Sequence, residues 1–209
     1  MKTQLFTHEQ ARRAEASGSA LGVLANWLTD YAMNDHADLG RSGTVCPFVK
    51  RASRLETLRL GISLATPEDE ASVYEEIRSS FAVLKRIPAP EDRQQLRTIT
   101  IGFPGCASDA GIAMLARVTA RHKYYTLLRW RMLALFHDGS ELQGLWNPAF
   151  RPLRSPMPMI AVRYLVEQDA GFVAKHKLLI APYLVRFGLG GARRLTGHWR
   201  ARAAGGSKA

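Results

Sequence analysis

The sequence predicts an α+β fold: a single domain in which helices cover a mixed sheet of about four strands. Three observations carry that expectation. Short runs alternate apolar and polar residues, as half-buried strands do, in "TLRLGISLA", "LRTITIGF" and "MIAVRYL". Between them lie longer stretches with apolar residues at helical spacing, so strands and helices share one core. No strand ends in a Gly-rich phosphate loop, and "GLGGARR" follows a helix, which excludes a doubly wound dinucleotide fold.

Taken in order, residues 7–33 read as helical, with Ser19 capping a segment that repeats Leu21, Leu24, Ala25 and Leu28. The polar connector "MNDHADLGRSGTV" is loop chemistry. A short helix is expected from Pro47, with Phe48, Ala52 and Leu55 on one side. The first strand follows, alternating Leu58, Leu60, Ile62 and Leu64. Thr66 then reads as a helix cap, with Pro67 at the first helical position and acids in the opening turn. Val73, Ile77, Phe81 and Leu84 give that helix its buried stripe. Leu96 to Phe103 form a second strand, and a helix capped by Ser108 follows. "WRMLALFHD" fits either a third strand or the end of that helix. A loop with Pro148, Pro152, Pro156 and Pro158 leads to the strand "MIAVRYL". The last helix is expected to kink at Pro182.

The chain has 209 residues and a formal net charge of +11. Its length suits one domain with a real core. Five of the positive charges and no acids lie in residues 188–209, leaving +6 for the other 187 residues. The expected organisation is therefore a domain over 1–187 and a basic disordered tail over 188–209, able to touch polyanions weakly through Trp199 and its arginines. No membrane span is expected. The two cysteines are unpaired by pattern and the first residues lack an export signal, so a cytoplasmic protein with reduced thiols is expected.

Two stretches carry chemistry. In "GTVCPFVKRA", a helix starting at Pro47 makes Cys46 the N-cap, where free amides and the helix dipole favour a thiolate, helped by Lys50 and Arg51. A thiolate at a Cys-Pro pair suits an axial haem ligand, but a buried structural cysteine fits the same residues. A cysteine nucleophile is the third reading; it needs a histidine, from His36, His122, His137 or His176. Cys106, with Ser108 nearby, reads as a turn residue. The six histidines show no zinc spacing. In "GLWNPAFRPLRSPMP", prolines hold Trp146, Phe150, Arg151 and Arg154 in a stiff loop, a setting for a flat anionic ligand or for packing onto the core. "RHKYYTLLRWR" interleaves basic and aromatic residues. Helical spacing puts Tyr125 and Leu128 on an apolar side, with a solvated basic face opposite.

The segment "LGRSGTVCPFVKRA" resembles a bacterial family carrying "GRxGxVCPFV", matching at Leu39, Gly40, Arg41, Gly43, Val45, Cys46, Pro47 and Phe48. "FRPLRSPMPMIAVRYLV" looks like its second block. More distantly, "CPF" before a strand and the later pair Arg154 and Ser155 are similar to the YqcI/YcgG-type haem proteins, which include haem-dependent guanidine N-hydroxylases. The chain departs from that group in its tryptophan-containing central element. The resemblance implies a haem-dependent oxygenase or peroxygenase acting on a small nitrogen-containing metabolite, with a redox partner. Cys46 would be the axial ligand, with His137 or His36 as replacements. Arg41, Arg51 and Arg154 would meet the propionates, and Trp146 and Phe150 would wall the ring. A guanidine substrate would need a carboxylate from Glu56, Asp138 or Glu141. The alternatives are a non-catalytic ligand- or polyanion-binding protein that uses the basic tail, and a cofactor-free cysteine enzyme.

Overall fold

The computed structural model describes residues 2–14, 18–127, 129–174 and 177–205. Its five strands are β1 (Phe6–Thr7), β2 (Leu58–Ile62), β3 (Thr98–Gly102), β4 (Arg131–Phe136) and β5 (Met159–Tyr164). They form one mixed sheet in the order β1-β2-β3-β5-β4. Only β2 and β3 run parallel, and α4 (Glu70–Arg86) makes the crossover that a parallel pair requires. The class is α+β, with one strand more than expected. β1 is two residues long, too short for alternation to show in the sequence.

Two helical layers sandwich the sheet. On one face Ile99, Ile101, Ile160 and Val162 pack against Val73, Ile77, Phe81 and Leu84 of α4 and Met114, Leu115 and Val118 of α5 (Asp109–Leu127). The expected stripe of α4 is therefore its buried face. Each such side chain contributes about 1.5–3 kcal/mol on burial. On the other face Leu58, Leu60 and Met159 meet Leu24 and Ala25 of α2 (Ala20–Trp27) and Ala52 of α3 (Val49–Arg54), close to α1 (His8–Arg13). All five residues of β3 are buried, because it lies between both layers. A third cluster joins Leu165 and Val173 to Leu179, Tyr183 and Leu195, and ties α6 (Ala170–Val173) to α7 (Lys177–Gly205).

Several boundaries differ from expectation for local reasons. The helix expected over 7–33 is broken: Thr7 caps α1 in a reciprocal box with Gln10, Gly18 takes a φ of 64°, and Ser19 caps α2 through the amide of Gly22. Thr66 does not cap α4. Its amide and hydroxyl both donate to the Asp69 carboxylate, at 2.8 and 2.9 Å, closing a turn ahead of the helix. Those two bonds, the backbone one first, hold the Asp69 carboxyl below its ordinary value. "WRMLALFHD" resolves as strand β4. Ser108 caps α5, accepting from the Gly111 amide at 3.3 Å.

The expected disordered tail is corrected most. α7 runs through Gly205. It breaks not at Pro182 but at Gly188, whose φ of 51° and ψ of −135° suit a residue without a Cβ. Beyond that break Leu195 is buried and Arg194 pairs with Glu167 at 3.1 Å. Residues 206–209, with Lys208, lie outside the described residues, as do His176 and Leu128. No helix among the described residues is long and apolar enough to cross a membrane.

Candidate functional site

The loop 33–48 is built to place Cys46. The His36 ring caps a single 3-10 turn (Ala37–Leu39), its Nδ1 accepting the Asp38 amide at 3.1 Å. Gly40 ends that turn at a φ of 76°, where a Cβ would come within 3.0–3.1 Å of Trp146 and Asn147. Only glycine meets both demands without strain. Arg41 then folds its guanidinium back onto the carbonyls of Ser42 (2.8 Å), Thr44 (2.9 Å) and Val45 (3.4 Å). The amides of Val45 and Cys46 bond Asn34 and Ala32, both at 2.9 Å. The "GRSG" signal is thus the frame of a loop, and Arg41 is its clasp. Arg51 points to solvent from α3. Neither lines a cavity with Phe150 and Arg154.

Cys46 is half-buried and packs against the α2–α3 cluster, as Trp27, Tyr31, Phe48 and Phe136 do. It is not a helix cap: α3 opens at Val49, with Phe48 at its cap and Pro47 in the preceding turn. Its sulfur makes no hydrogen bond among the described residues. Arg163 of β5 lies within electrostatic reach of it and sits over the Phe48 ring at 5.5 Å. Burial opposes the Arg163 charge, yet the Asp169 carboxylate outweighs that and raises its proton affinity. Two bonds of 2.7 and 2.6 Å hold the pair.

The sheet beside Cys46 is unusual. On the face shared with α1–α3, β5 presents Met159, Ala161 and Arg163, and β4 presents Phe136, Ala134 and Met132 in register. The ends are closed: Met159 and Phe136 pack under α2, and Met132 packs on the α6–α7 cluster. Between them Ala134 and Ala161 stay partly exposed, although β5 is an inner strand. Thr98 and Thr100 of β3 follow on the same face but are buried, so the partly exposed strip ends at β5. Small side chains here leave a flat floor between two helical groups, with Cys46 and Arg163 on its margin.

The Pro-rich loop touches both groups. Leu145 lies against Gly171 of α6. The Asn147 amide donates to the Asp38 carbonyl at 2.8 Å. Phe150 is buried against His36 (4.8 Å between ring centroids) and Tyr31 (6.4 Å). A cleft of about 470 Å³ opens there, lined by Tyr31, His36, Asp38, Phe150, Arg151 and Arg154 among others. Burial pushes the Tyr31 hydroxyl up to about 12. Both arginines hold Glu141, Arg151 at 2.9 Å, and Arg151 also donates to the Pro148 carbonyl at 2.6 Å. These bonds, that of Arg151 first, lower the Glu141 carboxyl.

The expected residues thus separate. His36, Phe150 and Arg154 share the cleft; Cys46 does not line it. Trp146 is 54 % exposed and does not line this cleft, and its backbone packs on Gly40. His36 is a poor replacement ligand, because a Nδ1 that accepts a hydrogen bond places the ring proton on Nε2. His137 keeps a buried Nδ1 without a hydrogen-bond partner and does not line the cleft. Cys106 is fully buried and donates to the Ala65 carbonyl at 3.3 Å. Burial and the charges of Asp69 and Glu68 raise its thiol, the reverse of activation. Among the guanidine-binding candidates, Glu141 is occupied, Asp138 accepts its neighbour's amide at 2.8 Å, and Glu56 is exposed. Sequence reasoning missed Arg163, Asp169, Ala134 and Ala161. The "AVR" of β5 shows no signal until register pairs it with β4.

The chain belongs to a family described as a domain of unknown function, DUF6875, which matches residues 21–197. That span takes in both motif blocks, every strand but β1, and part of α7 beyond Gly188. No curated protein and no solved structure matches the chain.

Proposed function

We propose that this protein binds haem through the Cys46 sulfur and acts as an oxygenase or peroxygenase, of the N-hydroxylating kind, on a small nitrogen-containing metabolite. One observation carries the reading: a half-buried thiol, free of hydrogen bonds, stands at the margin of an uncovered strip of small residues. The described residues hold no cluster of three His, Cys, Asp or Glu able to bind a bare metal ion. A porphyrin iron asks for less, since the macrocycle supplies four donors and the protein need add one. A thiolate-ligated haem supplies oxygen activation, the sulfur pushing electron density toward the iron.

The chain's own residues would do the rest. The loop clasped by Arg41 holds the Cys46 backbone in place. Ala134 and Ala161 leave room for a flat ring, and Phe48 offers it an apolar edge. The Arg163–Asp169 pair closes one margin without leaving net charge. For the propionates, Arg41 is engaged by the carbonyls of its own loop, Arg51 is exposed on α3, and Arg154 would have to leave Glu141.

The test is an absorption spectrum of protein expressed with a haem supply, beside Cys46→Ala and Ala161→Phe. A Soret band with a thiolate-type ferrous-CO shift, lost or moved in Cys46→Ala and weakened in Ala161→Phe, is the expected result. A band indifferent to both substitutions would move haem elsewhere. Absence of any band would sink the reading.

The cleft at the Pro-rich loop favours a second reading, a non-catalytic binder of small aromatic anions. Deleting residues 188–209 does not separate the two readings, because Leu195 and the Arg194–Glu167 pair belong to the folded domain. A cysteine enzyme draws less support, since no histidine among the described residues bonds Cys46.

A further inference from the structure

The opposite side of the sheet holds a second cleft of about 470 Å³, between α4 and the turn joining α5 to β4. Its lining includes Arg78, Phe81, Lys85, Arg86, Arg129 and Arg131, against one acid, Glu75. Glu75 already pairs with Arg78 at 3.3 Å. Lys85, Arg86, Arg129 and Arg131 form no ion pair among the described residues, so four positive charges converge without a counter-charge.

Arg131 makes this more than a basic surface. It is 3 % exposed, yet its Nε has no hydrogen-bond partner. Its one bond is from Nη1 to the Arg129 carbonyl, at 3.0 Å. Otherwise it faces the rings of Phe81 and Tyr164, at 5.8 and 5.2 Å. A buried guanidinium costs several kcal/mol to desolvate and is normally matched by a carboxylate. Among the described residues no carboxylate pairs with it. Arg129 is held too, stacked over Tyr125 at 4.0 Å. Between them Trp130 takes a φ of 58°, a conformation few side chains adopt.

We infer that this cleft binds a small phosphate ester, with the phosphoryl oxygens on Arg131 and Arg129 and the organic part toward Phe81 and Ala82. Phosphate supplies several acceptors and up to two negative charges, which is what an unpaired arginine fork and converging lysine and arginine side chains recognise. The cleft is too large for bare phosphate and of a size for an organic ester. The inference is independent of haem binding on the other face.

Titration calorimetry at low salt with AMP, and separately with inorganic pyrophosphate, tests it. Wild type is compared with Arg131→Met, with Lys85→Gln plus Arg129→Gln, and with Arg12→Gln on the far face as control. The expected result is saturable binding, weakened roughly tenfold or more in both cleft variants and unchanged in the control. AMP binding tighter than pyrophosphate identifies an organic ester, and equal binding assigns the affinity to the phosphoryl group. No heat with either probe at millimolar concentration overturns the inference. So does equal binding by the cleft variants, or binding to a short DNA duplex alone with a steep salt dependence. If Arg131→Met fails to fold, the exposed double variant decides by itself.

Discussion

Two arginines on neighbouring strands, one on each face of the sheet, are both largely withdrawn from water, and they are treated in opposite ways. Arg163 on β5 is met by Asp169 through two short bonds, and its charge is cancelled where it stands. Arg131 on β4 is met by two rings and a single carbonyl, and its charge is left open. The difference teaches what a buried charge can be for. A matched pair is a structural joint, here tying β5 to the start of α6 beside Cys46. An unmatched one is a cost in the free protein that a bound anion can offset.

The largest expected effect breaks the matched pair. Asp169→Ala should cost about 3–5 kcal/mol, read from urea unfolding, because it strands a buried guanidinium. Emptying the core between the layers comes next: Ile101→Ala, at a fully buried position of β3, should cost about 2–5 kcal/mol in the same assay. Gly40→Ala should lose about 1–3 kcal/mol, from its positive φ and the close approach of Trp146 and Asn147. If the Arg131 contrast holds, Arg131→Met should leave the ligand-free protein at least as stable as wild type, since it removes the desolvation cost of an uncompensated charge. A loss comparable to that of Asp169→Ala would erase the comparison.

The smallest effect is with pH. His8 and His122 both have proton affinities lowered from 6.5, first by burial. The unfolded chain therefore takes up protons before the folded one does. Stability should be full above pH 6.5 and fall as the pH drops below it, which urea midpoints on either side of 6.5 will show.

Much of the fold was legible. The stripe of α4, the Ser19 and Ser108 caps and the alternation in β2, β3 and β5 come from local periodicity and hydrogen-bonding chemistry, which near neighbours settle. The site was legible only in part. Cys46 and the Pro-rich loop stand out as residue types. Their partners do not, because Arg163, Ala134 and Ala161 gain meaning only when β4 and β5 lie in register. Arg41 shows the same limit: a guanidinium that clasps its own loop looks, in sequence, like one free to hold a ligand. The basic tail misled through composition: an arginine-rich helix still buries Leu195, pairs Arg194 with Glu167 and lays His198 against Gly171.

By itself, then, the sequence determined the α+β class, the Ser19 and Ser108 helix starts, the core stripe of α4 and the two segments rich in chemistry, all properties of spacing along one chain. The tertiary structure alone decided which charges meet. Pairing depends on which side chains the folded chain turns toward each other to within about 3–4 Å in a poorly solvated interior, and even Arg163 and Asp169, six residues apart, meet only because the chain turns back after β5. That step matched Arg163 with Asp169 across one face and left Arg131 unmatched on the other.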